Sequence, residues 1–148
     1  VEPTKDNQNT YLNNIHGVIK DFLVAYGKEF WTIEDKVILI GANGFKDEDV
    51  INYFTQQQKI FGDLFDRAKN TSVPENWQEE HLKLLGEIKI AMESNRAISV
   101  GKDDPVKAAL ALTYLPEIMN RINDWSQPYI NKNRSENINN DLIESLAK

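Results

Sequence analysis

Cysteine is absent from this chain. That removes disulfides, thiolate nucleophiles, iron–sulfur clusters and thiolate zinc sites together. Seven Gly and five Pro are too few for a collagen-like or linker composition. No apolar run reaches transmembrane length, since the longest, Val37-Ile38-Leu39-Ile40, stops at Gly41. Cations are outnumbered, with 17 Lys+Arg against 23 Asp+Glu for a net charge of -6. Phosphate backbones are gripped by Lys and Arg, so nucleic acid is not an expected partner. An initiator Met is missing too: the chain opens Val1-Glu2-Pro3-Thr4, as expected of a processed product or an excised fragment. A signal peptide removed earlier is compatible with that opening.

What is present describes one folded unit. The 148 residues suit a single domain, residues 1–148, that buries about 70% of its unfolded surface without staples. Apolar residues make up 41%, too many for a disordered chain. Asparagine is frequent, 16 in all, with Ile and Lys also common, which fits drift under an AT-rich genome.

Strand signals are nearly missing, and helical periodicity runs through four long segments. The first places Leu12, Ile15, Ile19, Phe22, Leu23 and Tyr26 on one face and is expected to end at Gly27. A shorter helix is expected next, with Thr32 and Asp35 as a capping pair and a stop near Gly41. Asn43-Gly44 reads as a helix end rather than a hairpin, and Asp47 as the following N-cap. The second stripe is Val50, Ile51, Phe54, Phe61, Leu64, Phe65 and Ala68. Ser72-Val73-Pro74-Glu75 opens the third, followed by Trp77, His81, Leu84, Leu85, Ile88 and Met92. Asp103-Asp104-Pro105 opens the fourth, whose inner face is expected to be Val106, Ala109, Leu110, Tyr114, Ile118, Ile122 and Trp125. Pro116 should kink it near Thr113. A polar stretch follows Gln127-Pro128, and Ile138, Leu142, Ile143 and Leu146 could form a last amphipathic turn. Residues 1–8 and 128–148 are therefore expected to be peripheral. The fold class is all-α: an up-and-down antiparallel bundle of four main helices plus one or two short ones.

Chemistry-bearing motifs do not assemble. His16 and His81 lie on different helices, and Glu80 or Glu87 beside His81 lacks the i, i+3 or i, i+4 spacing of a helical metal site. Asn43 with Asp47, Glu48 and Asp49 lacks the alternating oxygens of a calcium loop. Ser72 sits in no nucleophile elbow, and Gly41-Ala42-Asn43-Gly44 is no phosphate loop. No catalytic, metal-binding or cofactor-binding residue and no cofactor is assigned. Asn70-Thr71-Ser72 and Asn133-Arg134-Ser135 match the glycosylation sequon. Phe30, Trp31 and Phe45, placed in connections between helices, are the candidate partner-binding residues, with covering of the bundle end as their other use.

Val73-Pro74-Glu75-Asn76-Trp77 with His81-Leu82 is followed by Asp103-Asp104-Pro105-Val106-Lys107-Ala108 and Tyr114, and preceded by Asn9-Thr10-Tyr11-Leu12-Asn13-Asn14 and by Gly17, Ile19 and Lys20. Over roughly residues 9–126 this resembles a group of uncharacterised, predicted exported helical proteins from small-genome candidate-phylum bacteria. In that group a VP-x-x-W/F-x-x-x-HL helix start precedes a DPVKA helix. The resemblance implies an extracytoplasmic domain whose N-terminal hydrophobic anchor lies outside this chain, and it implies no activity. The expected function is thus a non-enzymatic domain mediating protein interactions at the cell envelope or surface. Three alternatives stand beside it: a small-ligand sensor or carrier with a cavity near Pro116, a carboxylate/His81 enzyme, and self-association through a leftover apolar face.

Overall fold

The apolar stripe that opens the chain does not stop at Gly27. Phe30, Ile33 and Ile40 continue it one and more turns later and pack on the same core as Phe22 and Tyr26. A mid-helix glycine costs about 1 kcal/mol, less than that continued burial returns. In the computed structural model, which describes residues 1–136, α1 accordingly runs unbroken over Lys5–Asn43. The expected break and second short helix are absent, and Phe30 and Trp31 lie within α1 rather than in a connection. Thr32 behaves as an interior residue, its hydroxyl donating back to the Lys28 carbonyl at 2.8 Å.

Helix ends follow local chemistry more closely. Gly44 adopts φ 76 and donates its N–H to the Ile40 carbonyl, closing α1. Asp47 then caps α2 (Glu48–Lys69), accepting the Val50 N–H at 3.2 Å while Asn43 holds its other oxygen at 2.7 Å. Ser72 does not cap anything by its side chain. The chain enters a 3-10 turn over Glu75–Trp77 with Pro74 before it, and α3 (Gln78–Ser99) starts one turn later than the sequence suggested. That detour buries Trp77, whose indole N–H donates to Gln8. Asp104 caps α4 (Pro105–Glu136) by accepting the Lys107 N–H at 3.0 Å.

The four helices alternate in direction around one core. Tyr11 near the start of α1 meets His81 at the start of α3 and Tyr129 near the end of α4. At the opposite end, Phe45 of the α1–α2 loop lies against Gly101 and Ala108, where α3 gives way to α4. The centre is aromatic: Phe22 contacts Tyr26, Phe61 and Trp125, with ring centroids about 6 Å apart. This is the expected all-α up-and-down bundle, with one short 3-10 turn as its addition among the described residues.

Both interior prolines of α4 are tolerated. At Pro116, which can offer no N–H to the Leu112 carbonyl, the Tyr26 hydroxyl donates to Leu115 O at 2.7 Å and accepts the Met119 N–H at 3.1 Å. It lies between two groups that an undisturbed helix would join directly. Pro128 does not end α4, because Tyr129, Ile130 and Asn133 beyond it are buried. The first residues are also tied down: the Val1 nitrogen donates to Val73 O, and Val1 O accepts the Glu75 N–H. The expected turn at Ile138, Leu142, Ile143 and Leu146 lies outside the described residues.

Candidate interaction surface

The N-terminal half of α4 carries two apolar stripes. Ala108, Ala111, Leu115 and Ile118 form one at i, i+3, i+7 and i+10, and it is buried. Val106, Ala109, Leu110, Thr113 and Tyr114 form the other, at i, i+3, i+4, i+7 and i+8, and it faces outward. Val106 is 72% exposed, Leu110 51% and Tyr114 54%. The expectation that Val106, Ala109, Leu110 and Tyr114 belong to the inner face is thereby corrected. The reason is size: the connection after α3 lies against Ala108 at Gly101, and only a small side chain allows that approach. The larger stripe is turned to the outside. Between it and α3 runs a shallow groove of about 180 Å³ with Ser94, Ala97 and Ala111 in its wall and Leu110 and Tyr114 at its side. Lys107 and Glu93 border it with opposite charges.

Phe30, Trp31 and Phe45 have three different environments. Phe30 is half-buried, 6.2 Å from the Tyr26 ring. Phe45 packs on the core at the end of the bundle; a Cβ placed on Gly101 would lie 2.7 Å from its ring. Trp31 is 81% exposed, whereas Trp77 and Trp125 are buried. Val24 and Ile38, seven residues to either side, are exposed with it on the same face of α1.

The polar groups inside the bundle are mostly partnered. His81 is 5% exposed; its ring bonds to the Ala68 backbone, and its Nδ1 lies 3.1 Å from the Tyr11 hydroxyl, which lies 2.9 Å from that of Tyr129. A ring that donates to Ala68 O must accept from Tyr11, so Tyr11 accepts from Tyr129. Burial lowers the His81 pKa and raises those of Tyr11 and Tyr129, keeping all three neutral. Glu80 pairs with Lys132 at 3.4 Å and Glu87 with Arg121 at 2.8 Å, so neither carboxylate is directed to His81. His16 sits apart on α1, its pKa lowered first by burial and then by Lys20. Among the described residues no three His, Asp or Glu side chains are grouped to hold a metal.

Glu29 differs from these. It is 1% exposed, neither oxygen has a donor in full hydrogen-bond geometry, and burial pushes its pKa up to about 8 against a smaller opposing pull from Asn95. Asn95 faces it and gives its amide N–H to Ala91 O, leaving its own Oδ1 without a donor. A protonated Glu29 supplies that donor, so the pair is satisfied when Glu29 is neutral.

A cavity of about 160 Å³ lies between α1 and α4, lined by Ile19, Leu23, Ile122, Trp125, Tyr129 and Ile130. It sits below Pro116, and it is smaller than the several hundred Å³ of ordinary ligand sites. Of the two sequons, Asn70 is exposed while Asn133 is 2% exposed and closed to a glycan.

No family model, curated protein or solved structure matches the chain. Periodicity alone assigns the outward α4 stripe to the inner face. The opposing signal is the second, smaller stripe through Ala108 and Ala111, which only becomes the inner one once the closeness of α3 is known.

Proposed function

We propose that this chain is a non-enzymatic helical domain that mediates protein interactions, working outside the cytoplasm at the cell envelope or surface. The outward stripe of α4 carries the reading. Five residues at i, i+3, i+4, i+7 and i+8 make the pattern by which one helix seats another, and this helix already has a separate buried stripe for its own bundle. The groove beside it, walled by Ser94, Ala97 and Ala111 and bordered by Lys107 and Glu93, fits an amphipathic partner helix laid along α4. The extracytoplasmic location rests on the sequence resemblance.

A photo-crosslinker at position 110 tests this, with the protein incubated against envelope and cytosolic extracts. The expected product joins α4 to an amphipathic helical segment of an envelope protein, and Tyr114→Glu abolishes it while far-ultraviolet circular dichroism stays unchanged. Undiminished product in a folded Tyr114→Glu variant would refute the docking face. Equal product from cytosolic extract would refute the location.

A further inference from the structure

The exposed face of α1 is a regular seam of a different kind. Val24, Lys28, Trp31, Asp35, Ile38 and Ala42 follow one another at alternating steps of four and three residues, and all six are exposed. That is the 3.5-residue repeat of a helix that pairs with another helix along its length. At its lower end the seam is closed by α2, where Arg67 reaches Asp21 at 2.8 Å and lies over Gly17. At its upper end it runs to the last turn of α1. From Val24 to Ala42 it is open over about 27 Å.

We propose that this seam pairs with the same seam of a second copy of the chain, in antiparallel orientation, about a two-fold axis at Trp31. The proposal does not depend on the α4 stripe, which lies on another helix. Its argument is charge. In a parallel pair, Lys28 would face Lys28 and Asp35 would face Asp35, two like-charge contacts in the middle of the interface. Antiparallel pairing about Trp31 sets Lys28 opposite Asp35 of the other copy, twice. The same operation sets Val24 against Ile38, and Trp31 against its own copy. From Val24 to Ile38 apolar residues meet apolar ones and opposite charges meet opposite charges, and Ala42 lies beyond the paired stretch. Neither Lys28 nor Asp35 takes part in an ion pair among the described residues. Gly27 and Gly41 flank the seam with open space around them, so no side chain at either of these positions holds the helices apart. An interface confined to one helix pair is at the small end of the range, which makes the dimer reversible and concentration-dependent.

Sedimentation equilibrium on the full chain should show a reversible shift from the 17.0 kDa monomer to twice that mass. Lys28→Asp and Asp35→Lys should each weaken the dimer about tenfold or more, and the two combined should restore it. The orientation has its own readout, because the chain has no cysteine of its own. Val24→Cys and Ile38→Cys chains, mixed and oxidised, should cross-link to each other. Either chain alone should not, since equivalent positions lie about 21 Å apart in the antiparallel pair, beyond disulfide reach. A monomer at all concentrations would overturn the proposal. So would failure of the double charge swap to restore the dimer, or equal cross-linking by Val24→Cys alone, which a parallel pair would give.

Discussion

Replacing Glu29 by Gln should make the protein more stable at neutral pH, and the gain should depend on pH. Glu29 is enclosed by α1, α2 and α3: Tyr26 and Tyr53 are close enough for its charge to act on their hydroxyls, and Asn95 faces it. None of these is a cation, and no ion pair reaches it among the described residues. Its pKa rises from the ordinary 4.5 to about 8 in the folded chain because burial disfavours the charge. Below pH 4.5 the group is protonated whether the chain is folded or not, and it has no effect on the balance. Between pH 4.5 and 8 the unfolded chain loses the proton and the folded chain keeps it. Folding must then take a proton from solvent, at about 1.4 kcal/mol per pH unit. At pH 7 the cost is about 3 kcal/mol, and above pH 8 it stays constant. Gln is neutral at every pH, and its amide can donate to Asn95 Oδ1 as the neutral acid does. Urea unfolding followed by tryptophan fluorescence, from pH 4 to pH 8.5, measures the difference. Equal stabilities near pH 4 should diverge in favour of Glu29→Gln as pH rises. A difference that does not change with pH, or a variant that is less stable at pH 7, would show that Glu29 is folded as an ion and refute the reasoning.

Other perturbations follow from single contacts. Tyr26→Phe removes a hydroxyl that serves both Leu115 O and the Met119 N–H, and should cost about 2 kcal/mol in urea unfolding; a loss under about 0.5 kcal/mol would mean that α4 closes the gap itself. Gly101→Ala puts a methyl 2.7 Å from the Phe45 ring and 2.8 Å from the Ala108 Cβ, and should destabilise by about 1–3 kcal/mol, checked by the same titration. Asp104→Ala removes a side-chain cap and should cost about 1 kcal/mol. Ser72→Ala removes no cap and should change stability by under about 0.5 kcal/mol, so equal losses for the two would contradict the assignment of helix starts.

Sequence patterns carried the fold well where the deciding chemistry is local. Gly44 and Asp47 end and begin helices through their own backbone and side chain, and Asp104 caps α4 in the same way. They failed where burial outweighs a local preference. Gly27 looks like a terminator, but the residues after it have a core to enter. Ser72 looks like a cap, but burying Trp77 draws the chain into a 3-10 turn. Pro128 looks like a stop, but Tyr129 and Ile130 are packed beyond it. The α4 surface shows a different limit. Periodicity finds an apolar stripe but cannot say which of two stripes faces inward, because that depends on how closely a neighbouring helix approaches. Sequence points to Trp31 as a large aromatic in a connection between helices, while its exposure, and the seam it centres, follow from α1 being one continuous helix. The His81–Tyr11–Tyr129 chain joins residues 70 and 118 positions apart, a distance no local pattern spans.

The Tyr26 hydroxyl inside the α4 ladder has a consequence for sliding. Along their shared seam α1 and α4 meet largely through rings, and apolar packing of that kind is non-directional and tolerates axial slippage. A hydroxyl between Leu115 O and the Met119 N–H does not. Moving α4 by one residue, about 1.5 Å, would break its bond to one partner and crowd it against the other. The next helix interruption, at Pro128, lies twelve residues further on, about 18 Å away. α4 therefore has one axial register against α1, set by the Tyr26 hydroxyl together with the Tyr11–Tyr129 bond, and the Val106–Tyr114 stripe is held at a fixed height relative to Trp31.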